Sequence, residues 1–328
     1  MAVTAGWDIA AAVRAAEKRI RPFVRQTPVE SSVRFGELVG CRALVKLENL
    51  QHTGSFKVRG ALSALLALDT RARERGVVAA STGNHGAAVA FAARRLGSRA
   101  TVYVPRSASA TKVDAIRRLG GEVIIHGDDG IEAEIRARRD AGRAEMTYVS
   151  PYNDPAVVGG QGTIGVELER QVEDFDALFV AVGGGGLVSG VAGYLAERRP
   201  GVRIVGCSPE NSAVMDASVR AGRVLEIESK ATLSDGTAGG VESSAITLEP
   251  CRLLVDDWIR VSEGEIRAAM LEFIEAHHLL VEGSAGVALA AFLKAATNLG
   301  VERGVIVACG GNISLETLRC VLERQSRA

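Results

Sequence analysis

Apolar residues arrive along this chain in short, nearly unbroken runs rich in Val and Ile, most closing on Gly, Pro or Ser. They are "ALVKLE" (43–48), "GVVAAST" (76–82), "ATVYVP" (100–105), "EVIIHG" (122–127), "ALFVAVGGGG" (177–186), "VRIVGCSP" (202–209) and "GVIVACGGN" (304–312). Runs that do not alternate polar with apolar fit strands buried on both faces, as in a parallel sheet covered by helices. Helical periodicity fills the intervals, in "NHGAAVAFAARRLG", "SATKVDAIRRLG", "TIGVELERQV", "LVSGVAGYLAERRPG" and "EGEIRAAMLEFIEAHH". Several of these stop at Gly, as helix C-termini often do. The alternation predicts a doubly wound α/β architecture. A chain of 328 residues exceeds what one hydrophobic core usually serves, so two domains are expected. The densest turn-forming stretch of the first half, "SPYNDPAVVGGQG" (150–162), is a place for the chain to return from one lobe to the other. Residues 212–245 carry few periodic features and read as a long irregular excursion over the surface.

Composition narrows the class. Basic and acidic residues balance at 39 each, so neither nucleic acid nor an anionic membrane surface is implied as a partner. The N-terminal "MAVTAGWDIAAAVRAAEKRI" reads as an amphipathic helix, without the basic region and apolar core of a signal peptide. No apolar stretch approaches the length of a membrane span. The five cysteines, Cys41, Cys207, Cys251, Cys309 and Cys320, are odd in number and contain no CxxC pair. That suits reduced thiols in the cytoplasm and neither a disulfide frame nor a zinc site.

Four segments sit at the C-terminal ends of predicted strands, the edge where open α/β sheets bind ligands. "TGSFKVRGALSALLAL" places Lys57 in the first turn of a helix, where the dipole disfavours a cation. It is either an ordinary solvated lysine or a desolvated amine able to form a Schiff base with a carbonyl. A P-loop is a poor match, because no GK[ST] follows the glycine. "FVAVGGGGLVSGVAGYL" offers Gly183 to Gly186 between a strand and a helix, so that backbone N–H groups can converge on one phosphate. The GxGxxG spacing of a dinucleotide site fails in every register, which disfavours a nicotinamide dehydrogenase; a tight packing turn is the other reading. "ASTGNHGAAVA" brings Ser81, Thr82, Asn84 and His85 to a helix start, suited either to gripping a carboxylate and a ring oxygen or to capping alone. In "VACGGNIS", Cys309 is either a small buried thiol or a nucleophile for which no paired base stands out.

Taken in order, "LENLQHTGSFKVRGA", "STGNHG", "PYNDPAVVGGQGTIGVEL", "VGGGGLVSG" and "CGGNIS" closely resemble the fold type II pyridoxal-phosphate enzymes, in the branch of threonine/serine dehydratase and serine racemase. The resemblance covers nearly the whole chain. It implies a tryptophan-synthase-β-like α/β fold with mainly parallel sheets. A large cofactor-binding domain would comprise residues 1–68 and 150–328, and a small mobile domain residues 69–149. It implies that Lys57 carries pyridoxal phosphate, Phe56 packs beside its ring and Asn84 bonds the ring hydroxyl. Gly183, Gly184, Gly185, Gly186 and Leu187 would hold the phosphate, Glu282 would line the cofactor, and Cys309 would face the pyridine nitrogen. Ser81, Asn84, His85 and Gly236 would meet the substrate, and Thr82 would act on the opposite ring face. A neutral thiol at Cys309 makes the ring a weaker electron sink, which favours elimination over transamination.

The implied activity is β-elimination of L-threonine or L-serine to a 2-oxo acid and ammonia, with 3-hydroxyaspartate dehydratase and serine racemase as alternatives. A catalytically silent protein that binds pyridoxal phosphate or an amino acid is the alternative from a different class. β-Replacement enzymes carry a lysine motif more like "PTGSIKDR" than "HTGSFKVRG". Three departures matter. Thr82 stands where the racemase pattern has serine; Ser208 and Val214 stand where its metal ligands would be, so no divalent metal is expected; and Gly283 replaces a common proline. The sequence ends sixteen residues past Asn312, which leaves no room for the regulatory domain of isoleucine-sensitive deaminases and implies a catabolic type. A homodimer is implied by resemblance alone.

Overall fold

A computed structural model describes residues 7–323, and each of the seven apolar runs contains a strand within it. In chain order the strands are β1 (Val29–Ser31), β2 (Arg42–Leu47), β3 (Val77–Ala80), β4 (Ala100–Val104), β5 (Glu122–Ile125), β6 (Thr147–Tyr148), β7 (Ala177–Ala181), β8 (Arg203–Pro209), β9 (Asp257–Val261) and β10 (Arg303–Ala308). They form two sheets, β1-β2-β10-β7-β8-β9 and β5-β4-β3-β6. Every pairing is parallel except β1 with β2.

The continuous apolar runs are explained by cover on both faces. Val77 and Ala79 of β3 pack with the helix Asn84–Arg95, whereas Val78, pointing the other way, packs with the helix Gly130–Arg143. In the larger sheet, Val305, Ile306 and Val307 of β10 are wholly buried, and the helix Gly283–Ala295 lies across β7, β8, β9 and β10. The N-terminal helix runs Ile9–Ile20 and is capped by Asp8; residues 1–6 of the stretch expected to be helical lie outside the described residues.

Two expectations need correction. Residues 155–162 are not a turn: they open a helix, Pro155–Gln171, with Asp154 accepting from the amides of Ala156 and Val157 and Pro155 in the first helical position. Its glycines serve close approach. A Cβ on Gly160 would lie 2.5 Å from the Arg59 carbonyl oxygen, so the helix Lys57–Ala67 can pack directly on its backbone. The stretch 212–245 is likewise not wholly irregular. Val214–Ala221 is helical, burying Val214 and Met215 and closing at Gly222, whose φ of 67° suits glycine.

Beneath these helices lies an ion network. Arg59 is fully buried and donates to Glu48 at 2.8 Å and to Glu167 at 2.8 Å. Lys46, also fully buried, reaches Glu167 at 2.5 Å, the Thr27 carbonyl at 2.7 Å and Gln171 at 2.8 Å. Burial alone would raise the Glu167 pKa, but Arg59 and Lys46 together pull it below its ordinary value. Removing one partner strands the others in a low dielectric. Arg59→Ala is therefore expected to lower unfolding stability by about 3–5 kcal/mol, read from the urea midpoint, whereas breaking the exposed Arg14–Glu197 pair should change it by less than about 1 kcal/mol. Equal, small effects at both sites would contradict this account.

Candidate active site

The segment before Lys57 is tied to the end of β10: Ser55 bridges to Gly310, and the Phe56 amide donates to the Cys309 carbonyl at 3.1 Å. This sets Lys57 at the C-terminal edge of the large sheet, as the first residue of the helix Lys57–Ala67. Its Nζ donates to the Pro151 carbonyl at 3.0 Å and stands 5.2 Å from the centre of the Phe56 ring. Burial pulls the amine down to about 8, against attraction from the Glu282 carboxylate. Lys57 is half-buried over its whole length, but its amine turns inward to the Pro151 carbonyl, so the reading of a solvated surface lysine falls away.

The glycine loop follows β7 at the same edge. Gly185, at φ 81°, turns the chain into the helix Gly186–Arg198, and the Thr247 hydroxyl donates to the Gly184 carbonyl at 2.7 Å. Among the described residues, the amides of Gly183 to Leu187 donate to no other group, leaving a row of N–H groups at a helix N-terminus. The Tyr152 ring lies directly against Gly184, its Cβ and backbone against Gly186, and Thr237 against Gly183.

Across from the lysine, β3 ends before Ser81, and the 81–84 loop leads into the helix Asn84–Arg95. The Ser81 hydroxyl accepts from the Gly83 amide at 3.2 Å, and Thr82 is half-buried. His85 is buried with Nε2 2.8 Å from the Val149 carbonyl. A carbonyl can only accept, so Nε2 carries the hydrogen and Nδ1, which has no partner, is a bare acceptor. Burial, then the nearby Lys57 cation, pull the ring down to about 3, so it stays neutral.

Glu282, Asn84 and Asn312 form a further cluster. Asn84 Nδ2 lies 2.8 and 3.0 Å from the two Glu282 oxygens, and the Asn312 amide donates to the same carboxylate at 3.1 Å. Burial raises Glu282 to about 6, although these donors favour its charged form. Cys309 is buried beside it, and burial, reinforced by Glu282, raises the thiol well above its ordinary value. Gly236 lies against this group: a Cβ there would be 2.6 Å from Ser284 Oγ. Gly283 has a reason of its own, since any Cβ would run into the Leu233 carbonyl and push that loop away. Ser208 is buried with its hydroxyl 3.5 Å from the Val182 carbonyl, and Val214 is buried in a helix start.

The sequence motifs thus converge. Lys57, Cys309 and the glycine loop come from the large sheet, and the 81–85 loop comes from the small one. Pyridoxal phosphate fits them on chemical grounds: a desolvated amine, a row of free amides for a phosphate, and a neutral thiol. The family described as "Pyridoxal-phosphate dependent enzyme" matches residues 20–310. The chain belongs to the pyridoxal-phosphate-dependent enzymes.

Within that family, the enzyme is 37% identical over 315 residues to a protein named L-threonine ammonia-lyase from Thermotoga maritima, covering 95% of this chain and 77% of that protein. It is 34% identical over 302 residues to the catabolic L-threonine dehydratase of Escherichia coli, covering 92% of each. Among solved structures, maize serine racemase superposes with a TM-score of 0.90 at 34% identity, covering 95% of each chain. Sequence reasoning missed the use of Asn312, the Tyr152 ring over the glycines and the Lys112–Asp235 ion pair at 2.6 Å. Each depends on residues far apart in the chain, so no local signal marks it.

Only the unprotonated amine of Lys57 can attack an aldehyde. Capture of added pyridoxal phosphate by the cofactor-free enzyme should quicken about tenfold per pH unit at low pH and level off near pH 8. The growth of the Schiff-base absorption band measures it. Continued acceleration towards pH 10 would assign Lys57 an ordinary amine, and Lys57→Ala should show no band.

Proposed function

We propose that the enzyme removes the β-hydroxyl and the amino group of L-threonine or L-serine, giving a 2-oxo acid and ammonia. The observation that carries this reading is that Lys57 and Cys309 meet at one sheet edge, where the Phe56 amide just before the lysine donates to the Cys309 carbonyl at 3.1 Å. The relatives named for L-threonine ammonia-lyase and dehydratase activity support the same choice of substrate.

Pyridoxal phosphate, when bound, supplies the electron sink that acidifies the Cα–H of an amino acid. In this reading Lys57 first holds the cofactor and then, as a free amine, takes the Cα proton. Its lowered pKa leaves a useful fraction of free base near neutrality. Gly183 to Leu187 would hold the phosphate through their amides, and Phe56 would pack beside the ring. Cys309, uncharged, would meet the pyridine nitrogen without keeping it protonated. Asn84 would bond the ring oxygen, and Glu282 would line the cofactor. The carboxylate of the substrate is left to the Ser81 hydroxyl and to amides at the start of the helix Asn84–Arg95, and Thr82 would act on the opposite ring face. The His85 ring has no hydrogen free for an anion, so its part is to hold the Val149 carbonyl. Gly236 leaves room for the substrate side chain.

In the same reading residues 69–149 form a small domain that closes on a large domain of residues 1–68 and 150–328 and excludes water. The pairs Lys112–Asp235 and Arg138–Glu242 join the two sides. No divalent ion is used near Ser208, because the nearby Asp216 carboxylate is already held by Arg220 and Arg260, each at 2.6 Å. The enzyme works in the cytoplasm as a homodimer; five unpaired cysteines and the lack, among the described residues, of a helix able to cross a membrane are compatible with that setting.

The test is the near-visible spectrum of the purified enzyme before and after L-threonine, with 2-oxobutanoate assayed alongside. A Schiff-base band that shifts while oxo acid accumulates is expected, and Lys57→Ala should abolish both. A shifting band with no oxo acid from threonine or serine would overturn the dehydratase assignment. The product from 3-hydroxyaspartate, or D-serine from L-serine, would then name the reaction.

A further inference from the structure

Asn312 lies in the "CGGNIS" motif, which assigns it no role, yet it touches three separate elements of the site. Its Nδ2 donates to the Thr53 carbonyl at 2.7 Å and to Asn84 Oδ1 at 2.7 Å, and its backbone amide donates to Glu282 at 3.1 Å. A side-chain amide can present either end to a neighbour, and only its partners decide which. Here the decision starts at the backbone. The Thr53 carbonyl can only accept, so the NH2 end of Asn312 must face it, and the second hydrogen of that group meets Asn84. Asn84 must then turn its oxygen to Asn312 and its NH2 to Glu282, where it lies within 3.0 Å of both oxygens.

The chain of direction is built in with some strain. Thr53 adopts a φ of 61°, unusual for a residue with a β-branched side chain, and this conformation accompanies the exposed carbonyl that Asn312 uses. Gly54 follows at φ 72°, and a Cβ there would lie 2.5 Å from Asn312 Oδ1, so the asparagine occupies the space that the glycine leaves.

We propose that Asn312 is a positioning residue that fixes the orientation of the Asn84 amide and thereby delivers an N–H to the cofactor ring oxygen. The proposal rests on the cofactor site described above and goes beyond it by naming what orients its ring contact. One Nδ2 hydrogen of Asn84 serves Glu282, and the other remains for the ring. With Asn312 unable to donate, only Glu282 still holds the Asn84 amide in this sense, and reversal, which would set an oxygen against the ring oxygen, costs less.

Asn312→Asp is nearly isosteric and retains the backbone amide but puts a carboxylate opposite two acceptors. Asn312→Ala merely deletes the side chain. Reconstitution of the cofactor-free enzyme with pyridoxal phosphate, followed by absorbance, reads affinity and band position; thermal melting reads fold. Asn312→Asp is expected to weaken cofactor binding about tenfold or more and to displace the band, with Asn312→Ala intermediate. In an Asn84→Ala background either change should add little, because the intermediary is gone. Wild-type affinity and band position in folded Asn312→Ala and Asn312→Asp would overturn the proposal. So would effects that simply add to those of Asn84→Ala, which would make Asn312 a structural residue. If Asn312→Asp fails to fold, the Asn312→Ala and Asn84→Ala cycle decides alone. Failure of the wild-type enzyme to form a band would instead count against the cofactor site itself.

Discussion

The buried contact between Arg59 and its two carboxylates fixes where Lys57 stands. Arg59 lies two residues after Lys57 on the same helix, and its guanidinium grips Glu48 and Glu167 at once. Glu48 directly follows β2, whose last residue, Leu47, is in register with Ala308 of β10. Cys309 is the next residue along that neighbouring strand. One ion network therefore references the start of the lysine helix to the sheet edge that supplies the thiol. Planar, two-armed contacts suit such a task, because they set angle as well as distance. The network need not add net stability relative to an apolar core to do this.

Once Lys57 is set there, a single physical condition assigns roles to its neighbours. Removal from water disfavours every charged form, so it lowers the amine and the imidazole and raises the carboxyl and the thiol. The directions seen at Lys57, His85, Glu282 and Cys309 all follow from it, with mutual attraction as a correction. The result is an amine partly free near neutrality, a neutral ring, a neutral thiol and a carboxylate that three donor contacts keep accessible to ionisation. The glycine loop adds positive potential from unpaired amides without adding a titratable group.

What could be read from sequence was what is local. The seven apolar runs, the lysine before its helix, the four glycines and the strand-terminal cysteine each announce themselves within a dozen residues. The strands that escaped notice have little to announce: β1 and β6 span three and two residues, and β9, "DWIRV", is an edge strand that stays partly open to solvent. Gly159, Gly160 and Gly162 misled because glycine marks both turns and close helix packing, and only their partners, Ala12, Arg59 and Gly190 on three other helices, distinguish the two. The site contacts that escaped were all long-range. Asn84 and Glu282 are separated by 198 positions, and Asn84 and Asn312 by 228, so no spacing in the sequence could connect them.

Those long-range contacts also determine where the two sheets hold on to each other. Asn84 and His85 belong to elements of the small sheet, whereas Glu282 and Asn312 follow elements of the large one. At the rim, Lys112–Asp235 and Arg138–Glu242 are partly exposed pairs, of a kind that contributes about 1 kcal/mol or less each. In the pocket, the Asn84–Glu282 hydrogen bond involves a buried carboxylate, and bonds to charged groups contribute about 1.5–3 kcal/mol. Separating the two sheets therefore costs more at the Asn84–Glu282 contact than at either rim pair.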